Sequence, residues 1–265
     1  MDLVIGSSSQ LAQYFPDDYV KISSRNIDFN YLKQNQWDSV YITFAEQRIY
    51  EKNIDYITPN YLNTLKIIKA LLQNSKKIVC YTSCELWRGF GEGVISLDTE
   101  PNFDLKNEYA ISKLLLLNKI KELRELNDLY KKVIFIHPFY FNSTYRSKYF
   151  LFGKIFRSIV NNEKISVGNL DFERDMVHTK FVVSKSIGQI EDCMVGAGMA
   201  FNVRNFVQDL YEMNGLEYHD LVNEDTSTPP TNTKWITPSV NWEYTYWDLL
   251  NDTQEDIEQF KTRKQ

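Results

Sequence analysis

The segment Leu3-Val4-Ile5-Gly6-Ser7-Ser8-Ser9-Gln10-Leu11-Ala12 places a short apolar run directly before a glycine and a polar turn. The apolar run predicts a buried strand, and Gln10 to Tyr14 predict the start of a helix. A strand, a glycine turn and a helix are the setting of a dinucleotide-binding fingerprint, which needs three small residues. Here these are Gly6, Ser9 and Ala12. The fingerprint is degenerate, so an ordinary strand-turn-helix stays an open alternative.

Outward from this segment, β-rich and helical runs continue to alternate. Strands are predicted at residues 19–22, 38–44, 77–81 and 133–136, and helices at residues 60–72 and 109–126. This alternation predicts a parallel sheet covered on both faces, which right-handed crossovers make doubly wound. We therefore predict an α/β fold with a doubly wound parallel Rossmann sheet. Ligands of such sheets bind beyond the carboxyl ends of the strands.

The second half of the chain is less regular. A helix is predicted at residues 150–160 and a strand at residues 200–203. Residues 220–235, with two prolines and several threonines, are predicted to be loop, and the charged residues 255–265 are predicted to fray. The aromatic run at residues 242–247 is predicted to pack in a core or an interface, with a sugar pocket as the alternative.

Composition excludes several classes of function. The formal net charge of -5 gives no attraction to nucleic acid or to an anionic membrane. No apolar run is long enough to cross a bilayer, and the acidic start is unlike a signal peptide, so we expect a cytoplasmic protein. The 3 cysteines fit a reducing compartment, and no paired ligands predict a metal site. The histidines, which have no partner in the sequence pattern, are predicted to be structural: His137, His178 and His219.

The segment Asn107 to Lys113 carries the residues best suited to chemistry. Tyr109 and Lys113 are four positions apart and therefore share one face of the predicted helix. The lysine charge lowers the pKa of the phenol, which makes Tyr109 a usable proton donor or acceptor near neutral pH. Thr82 and Ser83 follow a predicted strand, where a hydroxyl can share a substrate oxygen with Tyr109. A Tyr-x-x-x-Lys match alone is common on helices, so its context carries the weight.

An ordered series of motifs resembles the extended short-chain dehydrogenase/reductase family, which includes nucleotide-sugar epimerases, dehydratases and ketoreductases. The resemblance runs from residue 1 to about residue 205, although two fingerprint glycines are missing and Tyr140 replaces a common asparagine. The motifs are Gly6 with its turn, Val40-Tyr41-Ile42-Thr43-Phe44-Ala45, Asn60 with Thr64, Thr82-Ser83-Cys84-Glu85-Leu86-Trp87, Tyr109 with Lys113, His137-Pro138-Phe139, Arg174-Asp175-Met176-Val177-His178 and Phe201-Asn202-Val203.

The resemblance implies a site with three groups of residues. The catalytic residues are Ser83, Tyr109 and Lys113. The residues implied to bind the cofactor are Gly6, Ser8, Ser9, Gln10, Leu11, Arg25, Phe44, Ala45, Asn60, Thr82, Tyr109, Lys113 and Pro138. The residues implied to bind the substrate are Cys84, Glu85, Tyr140 and Arg174. The resemblance also implies a homodimer and a role in polysaccharide biosynthesis.

The end of the second strand bears on the cofactor. NAD enzymes commonly place an acidic residue there to bind the ribose 2'-hydroxyl, whereas this chain has Ser23-Ser24-Arg25. Arg25 is able to pair with a 2'-phosphate, which favours NADP(H) over NAD(H). A solvated surface charge is the alternative for Arg25.

The resemblance leaves three reactions open on a nucleotide-linked sugar. Reduction of a 4-keto-6-deoxy sugar is favoured, because the short connection from Arg25 to Val40 resembles the layout of such reductases. Epimerisation is an alternative, and Glu85 is compatible with dehydration. From another class, a catalytically inactive Rossmann protein with a binding or regulatory role also stays open, since the glycine turn is eroded.

The same resemblance implies how the chain divides. Residues 1–145 are expected to form the NAD(P)-binding Rossmann domain, with residues 178–205 returning to it. Residues 146–177 and 206–265 are expected to form a small substrate-binding cap that holds the nucleotide-linked sugar.

Overall fold

A computed structural model of the chain describes residues 1–48, 51–87, 92–102, 107–227, 229–230, 235–240 and 242–264. The strands are β1 (Leu3–Ile5), β2 (Val20–Ile22), β3 (Trp37–Ile42), β4 (Ser75–Tyr81), β5 (Gly93–Ile95), β6 (Val133–Pro138), β7 (Tyr140–Asn142), β8 (Ile165–Gly168), β9 (Glu173–Arg174), β10 (Met176–His178), β11 (Cys193–Val195), β12 (Phe201–Asn202), β13 (Val222–Asp225) and β14 (Ile236–Pro238). The helices are α1 (Phe29–Gln34), α2 (Thr64–Leu71), α3 (Glu108–Leu126), α4 (Leu151–Asn161), α5 (Thr179–Ser186), α6 (Val203–Met213), α7 (Tyr218–Leu221) and α8 (Tyr246–Lys264).

The chain divides into two compact units. Unit 1 comprises Met1–Phe90, Leu97–Pro138 and Val183–Val195. Unit 2 comprises Gly91–Ser96, Phe139–Val182 and Gly196–Gln265.

Unit 1 is built on a parallel sheet of six strands in the order β11-β6-β4-β3-β1-β2. The inner strands β1 and β6 are buried along their whole length, as parallel strands covered on both faces must be. The chain passes from β1 to β2 on one side and then crosses to β3 on the other side of β1. This reversal is the topological switch point where doubly wound sheets bind ligands. The predicted α/β Rossmann fold class is confirmed.

Helix α3 is the long helix that carries the Tyr-Lys pair. It begins after Asn107, whose side chain accepts a hydrogen bond from the Tyr109 amide at 3.0 Å. Such a cap satisfies one of the first four amides, which have no partner within the helix. Ala110, Leu117 and Ile120 lie on its buried face. The helix is therefore fixed both by its cap and by packing.

Unit 2 contains four two-stranded pairs, β10-β7, β12-β9, β13-β8 and β14-β5, together with helices α4, α6, α7 and α8. Its core includes the buried side chains of Ile155, Val207, Leu250 and Ile257. Across the described ranges of both units, no helix combines the length and the apolar character needed to cross a membrane.

The regular helix predicted to start at residues 10–14 does not form. Only a 3-10 turn forms at Leu11–Tyr14, and Phe15 after it is extended, with φ −71° and ψ 147°. Pro16 explains the stop, because the residue before a proline is driven out of the helical region. The first crossover is consequently made without a regular helix.

The structure corrects four further expectations. Strand β6 continues through Pro138, which pairs with Val195 after the ladder to β4 has ended at Ile136. Part of the segment expected to be loop forms α7 and β13, where Glu224 holds Arg204 in an ion pair at 2.8 Å. Residues 228 and 231–234 of that segment lie outside the described residues.

The C-terminal residues expected to fray continue α8, because Ile257 is fully buried. The predicted strand at residues 200–203 is shorter, since Asn202 caps α6.

Candidate active site

The carboxyl end of β4 forms the first side of the site. Tyr81 ends the strand, and the half-buried Ser83 opens a 3-10 turn at Cys84–Trp87. The Ser83 hydroxyl accepts a hydrogen bond from the Glu85 amide at 3.2 Å, and the Ser83 carbonyl accepts from the Leu86 amide. These bonds fix the backbone that presents the Ser83 hydroxyl.

Helix α3 supplies the second side. Lys113 is 4% exposed, and its Nζ donates to the Tyr81 carbonyl at 3.1 Å. The same Nζ lies 5.9 Å from the centre of the half-buried Tyr109 ring. Burial lowers the pKa of Lys113 to about 8. The lysine is thus mainly charged at neutral pH and is joined to the strand end that leads to Ser83.

Asn60 ties the loop after β3 to α3. Its Oδ1 accepts from the Glu46 amide at 2.7 Å, and its Nδ2 donates to the Glu46 carbonyl at 2.9 Å and to Ser112 Oγ at 3.0 Å. Ser112 in turn donates to the Tyr109 carbonyl at 2.6 Å. Both amide protons of Asn60 are therefore used within the protein. Its side chain positions the helix that carries Tyr109, a role that the sequence pattern did not indicate.

The turn after β1 is compact. Gly6 has φ +112°, and a Cβ added there would lie 2.8 Å from the Phe44 amide nitrogen. Ser9 Oγ donates to Thr43 Oγ1 at 2.8 Å and accepts from the Ala12 amide at 3.1 Å. Glycine is thus required at position 6, and the serine at the second fingerprint position bonds across to the end of β3.

The chemistry of this turn fits a dinucleotide phosphate. Ser8 is exposed and Gln10 is half-buried, so this edge of the turn offers hydroxyl and amide donors. Arg25, beyond the end of β2, is also exposed and carries the positive charge that a phosphate needs. The four-residue helix adds little of the dipole that a longer helix would supply.

The other predicted cofactor residues lie at the same edge of the sheet. Phe44 and Ala45 follow β3 after Thr43, Thr82 directly follows β4, and Pro138 ends β6. Leu11 is buried at the start of the 3-10 turn. Of the residues predicted to bind substrate, Cys84 is buried and Glu85 half-buried in the turn after Ser83.

Tyr140 and Arg174 belong to unit 2, where the structure brings them together. The Arg174 guanidinium carbon lies 5.3 Å from the Tyr140 ring centre and 4.6 Å from that of Phe172. Its neighbour Asp175 accepts from the amides of Ala197 and Gly198, both at 2.8 Å, and burial raises the pKa of Asp175 to about 7. The arginine is therefore held between two rings on an anchored segment.

His137 is a site feature that sequence reasoning missed. It was predicted to be structural because the sequence pattern shows no partner for it, and the structure places its Nδ1 2.6 Å from Thr82 Oγ1. Burial lowers the pKa of His137 to about 4, so the ring is neutral at physiological pH. Thr82 and His137 are 55 positions apart, so no local sequence pattern indicates their contact. The pairing of β4 with β6 brings the two residues together.

The arrangement suits proton transfer beside a bound carbonyl. The Lys113 ammonium group joins the end of β4 and lies beside the Tyr109 phenol, and Ser83 is the second residue after that strand end. In the ranges that the structure describes, no three His, Cys, Asp or Glu side chains gather as they would around a metal ion.

Solved structures with the same fold match nearly the whole chain. RMD from Pseudomonas aeruginosa, complexed with NADPH, is 16% identical over 98% of this chain and 99% of that chain, with a TM-score of 0.76. A UDP-glucuronic acid 4-epimerase from Bacillus cereus, in complex with NAD, is 13% identical over 98% and 97%, with a TM-score of 0.74. A dTDP-glucose 4,6-dehydratase from Bacillus anthracis, in complex with NAD, is 13% identical over 99% and 97%, with a TM-score of 0.76.

At these identities the likeness establishes the shared fold, as the resemblance in the sequence implied. No protein-family model matches the sequence, and no curated protein sequence is similar to it.

Proposed function

We propose that this chain is an NAD(P)-dependent oxidoreductase of the extended short-chain dehydrogenase/reductase family that acts on a nucleotide-linked sugar. The reaction proposed is the reduction of a 4-keto-6-deoxy sugar with NADPH. The observation that carries the proposal is the buried Lys113, whose Nζ joins the end of β4 at 3.1 Å while it stands beside the Tyr109 ring. A buried lysine has little structural use there, whereas a proton-transferring phenol needs its charge.

The cofactor would be held in unit 1 at the carboxyl edge of the sheet. The turn from Gly6 to Leu11 would bind the pyrophosphate, and Arg25 would pair with the 2'-phosphate of NADP(H). Phe44, Ala45 and Pro138 would line the site, with Thr82 at the end of β4. When bound, the nicotinamide supplies or accepts the hydride.

Tyr109 acts as the proton donor in reduction. Its hydroxyl gives a proton to the substrate carbonyl oxygen, and the Lys113 charge stabilises the phenolate that remains. Ser83 donates a hydrogen bond to the same oxygen and holds it in place. Asn60 keeps α3 in position through Ser112, which bonds the Tyr109 carbonyl.

Unit 2 would serve as the substrate-binding cap. Arg174, held between two rings, presents a positive charge suited to the phosphates of a sugar nucleotide. Tyr140 is its neighbour, and Cys84 and Glu85 of unit 1 would contact the sugar. Under this proposal, Arg174→Ala raises KM for the sugar nucleotide and leaves cofactor binding unchanged.

The same catalytic residues also support epimerisation, and Glu85 supports dehydration. Similar folds occur in a 4-epimerase and in a 4,6-dehydratase, both in complex with NAD. The half-buried Glu85, two positions after Ser83, is the acid that a dehydratase would use to remove water. A binding protein without turnover is the alternative from another class.

One experiment separates these functions. The purified protein is incubated with 4-keto nucleotide sugars and NADPH deuterated at the transferred position, and with 4-hydroxy nucleotide sugars and NAD⁺ or NADP⁺, which supplies the oxidant for epimerisation or dehydration. A reductase places deuterium on the sugar and consumes the cofactor in equal amount. An epimerase yields an isomer without net oxidation, and a dehydratase yields a product lighter by water. Cofactor binding without any product would favour the binding protein.

A further inference from the structure

His137 is a buried side chain that the proposed mechanism does not use. It is 3% exposed on β6, and the Trp87 ring packs against it in an edge-to-face arrangement with ring centroids 5.2 Å apart. Because burial lowers its pKa to about 4, the ring is neutral at neutral pH and does not act as a general acid. Its contribution must come from a hydrogen bond made by the neutral ring.

The partner of that bond is the residue before Ser83. Thr82 is held to β6 twice, by its amide on the Ile136 carbonyl at 2.9 Å and by its hydroxyl at 2.6 Å from His137 Nδ1. The hydroxyl is 3.5 Å from the Ile136 carbonyl, at the limit of a hydrogen bond. The shorter distance favours Nδ1 as the acceptor of the Thr82 proton, an arrangement in which the proton of the neutral ring sits on Nε2.

The last residue of the turn that follows Ser83 also contacts the His137 imidazole. Ser83 accepts from the Glu85 and Leu86 amides, and four residues after Ser83 the Trp87 ring packs on His137. The Trp87 indole donates to the Thr99 carbonyl at 2.8 Å, which fixes the ring. Ser83 thus lies between two points that both contact His137.

We propose that His137 is a positioning residue, whose neutral imidazole accepts the Thr82 hydroxyl proton and so fixes the backbone from which Ser83 presents its hydroxyl. The inference rests on the proposed function, since it assumes that Ser83 holds the carbonyl oxygen. Small displacements of a positioned group cost large factors in rate, whereas ground-state binding changes less.

The turnover test uses variants of both partners. In Thr82→Val, which keeps the shape of the side chain, and in His137→Leu, kcat falls by about tenfold to a hundredfold, and in His137→Leu the KM for the cofactor stays unchanged. The double variant is no worse than either single one, because both remove the same bond. His137→Asn, whose Oδ1 replaces Nδ1 as the acceptor, recovers most of kcat.

Ser75→Ala is the matched control. Ser75 is equally buried at the opposite end of β4, and its hydroxyl donates to the Leu71 carbonyl at 2.8 Å. Its kcat equals that of the unaltered protein. A loss of kcat in Ser75→Ala as large as that in Thr82→Val would show a general effect of destabilised β4 and would overturn the inference.

A cofactor-free measurement separates this inference from the proposed function. Nitrogen NMR of the imidazole at neutral pH shows the Nε2–H tautomer, and Thr82→Val shifts the Nδ1 resonance. Hydrogen exchange of the Glu85 and Leu86 amides becomes faster in Thr82→Val and stays unchanged in Ser75→Ala. An Nδ1–H tautomer, an unmoved resonance or unchanged exchange would overturn the inference, even if the protein turned over no substrate. Absence of all turnover, with these spectra as expected, would refute the proposed function alone.

Discussion

Two parts of unit 1 face the same edge of the sheet and are built in different ways. The corner where α3 meets β4 relies on particular side chains, since Lys113, Asn60 and Thr82 are buried and each makes a defined hydrogen bond. The turn after β1 relies on backbone shape, which Gly6 sets and Ser9 secures through Thr43. Proton transfer requires a particular side chain at a particular position. Phosphate binding by backbone amides tolerates any small residue that lets the backbone approach the phosphate.

The difference has an energetic consequence. Burial of the Lys113 ammonium group opposes folding, because it lowers the pKa of that group to about 8. The charge at this corner therefore lowers the free energy of unfolding. The turn contains no buried charge, and its helix of four residues contributes little dipole. We therefore expect changes at the corner to abolish turnover and changes at the turn to adjust cofactor affinity.

The largest effect is expected for Tyr109→Phe. Without the phenolic proton, kcat falls by about 10²- to 10⁴-fold, while the dissociation constant of the cofactor changes little. Steady-state kinetics and a cofactor titration check both statements. Tyr130→Phe is the control, since Tyr130 is a buried tyrosine of unit 1 that lies in the turn after α3, at the opposite end of that helix from Tyr109. Similar losses in both variants would contradict the role given to Tyr109.

A second effect at the corner is a dependence on pH. The folded pKa of Lys113, about 8, lies below the ordinary lysine value, so the charged form is lost as pH rises through about 8. The ratio kcat/KM of the free enzyme is expected to fall over that range. In Lys113→Arg, the guanidinium stays charged and the alkaline limb moves to higher pH. A limb that keeps its position in this variant would assign it to another group.

The next prediction concerns cofactor choice. Arg25→Ala is expected to weaken NADPH binding by about tenfold, since a charge-assisted hydrogen bond contributes on the order of 1.5 kcal/mol. NADH binding is expected to stay the same. The control is Lys33→Ala, which removes another exposed positive charge, in the last turn of α1. Equal losses for both nucleotides in Arg25→Ala would refute the 2'-phosphate contact.

The smallest effect is expected at the turn itself. Ser9→Gly restores a fingerprint glycine and tightens cofactor binding by a few fold, because the backbone is able to approach the pyrophosphate more closely. It also costs about 1 kcal/mol of unfolding free energy, since the bonds to Thr43 and Ala12 are lost. Ser9→Ala loses the same bonds but keeps Cβ, so it is less stable without binding more tightly. Equal affinities in the two variants would show that Ser9 does not limit the approach.

Much of unit 1 follows from sequence pattern alone. The continuous apolar runs of β1 and β6 predict buried parallel strands, and the four-residue spacing of Tyr109 and Lys113 predicts a shared helix face. The early end of the first helix was also predictable from the sequence, because Pro16 directly follows Phe15. These features are local, so the residues near each position determine them.

The features that were missed depend on contacts distant in sequence. The bond between His137 and Thr82 exists because β4 and β6 are neighbours, and β13 forms because β8 offers it an edge. Helix α8 continues through a charged segment because Ile257 is buried in unit 2. In each case the local pattern is polar or neutral, and only the assembled sheet or core selects the structure.

The central claim is that the serine-containing turn of unit 1 still binds a nicotinamide dinucleotide for the residues of the α3 corner to use. It is tested most directly by titrating the purified protein with NADPH and with NADH while following nicotinamide fluorescence. We predict saturable binding at about micromolar concentration, tighter for NADPH. No binding of either nucleotide would contradict it and leave a Rossmann sheet with another role.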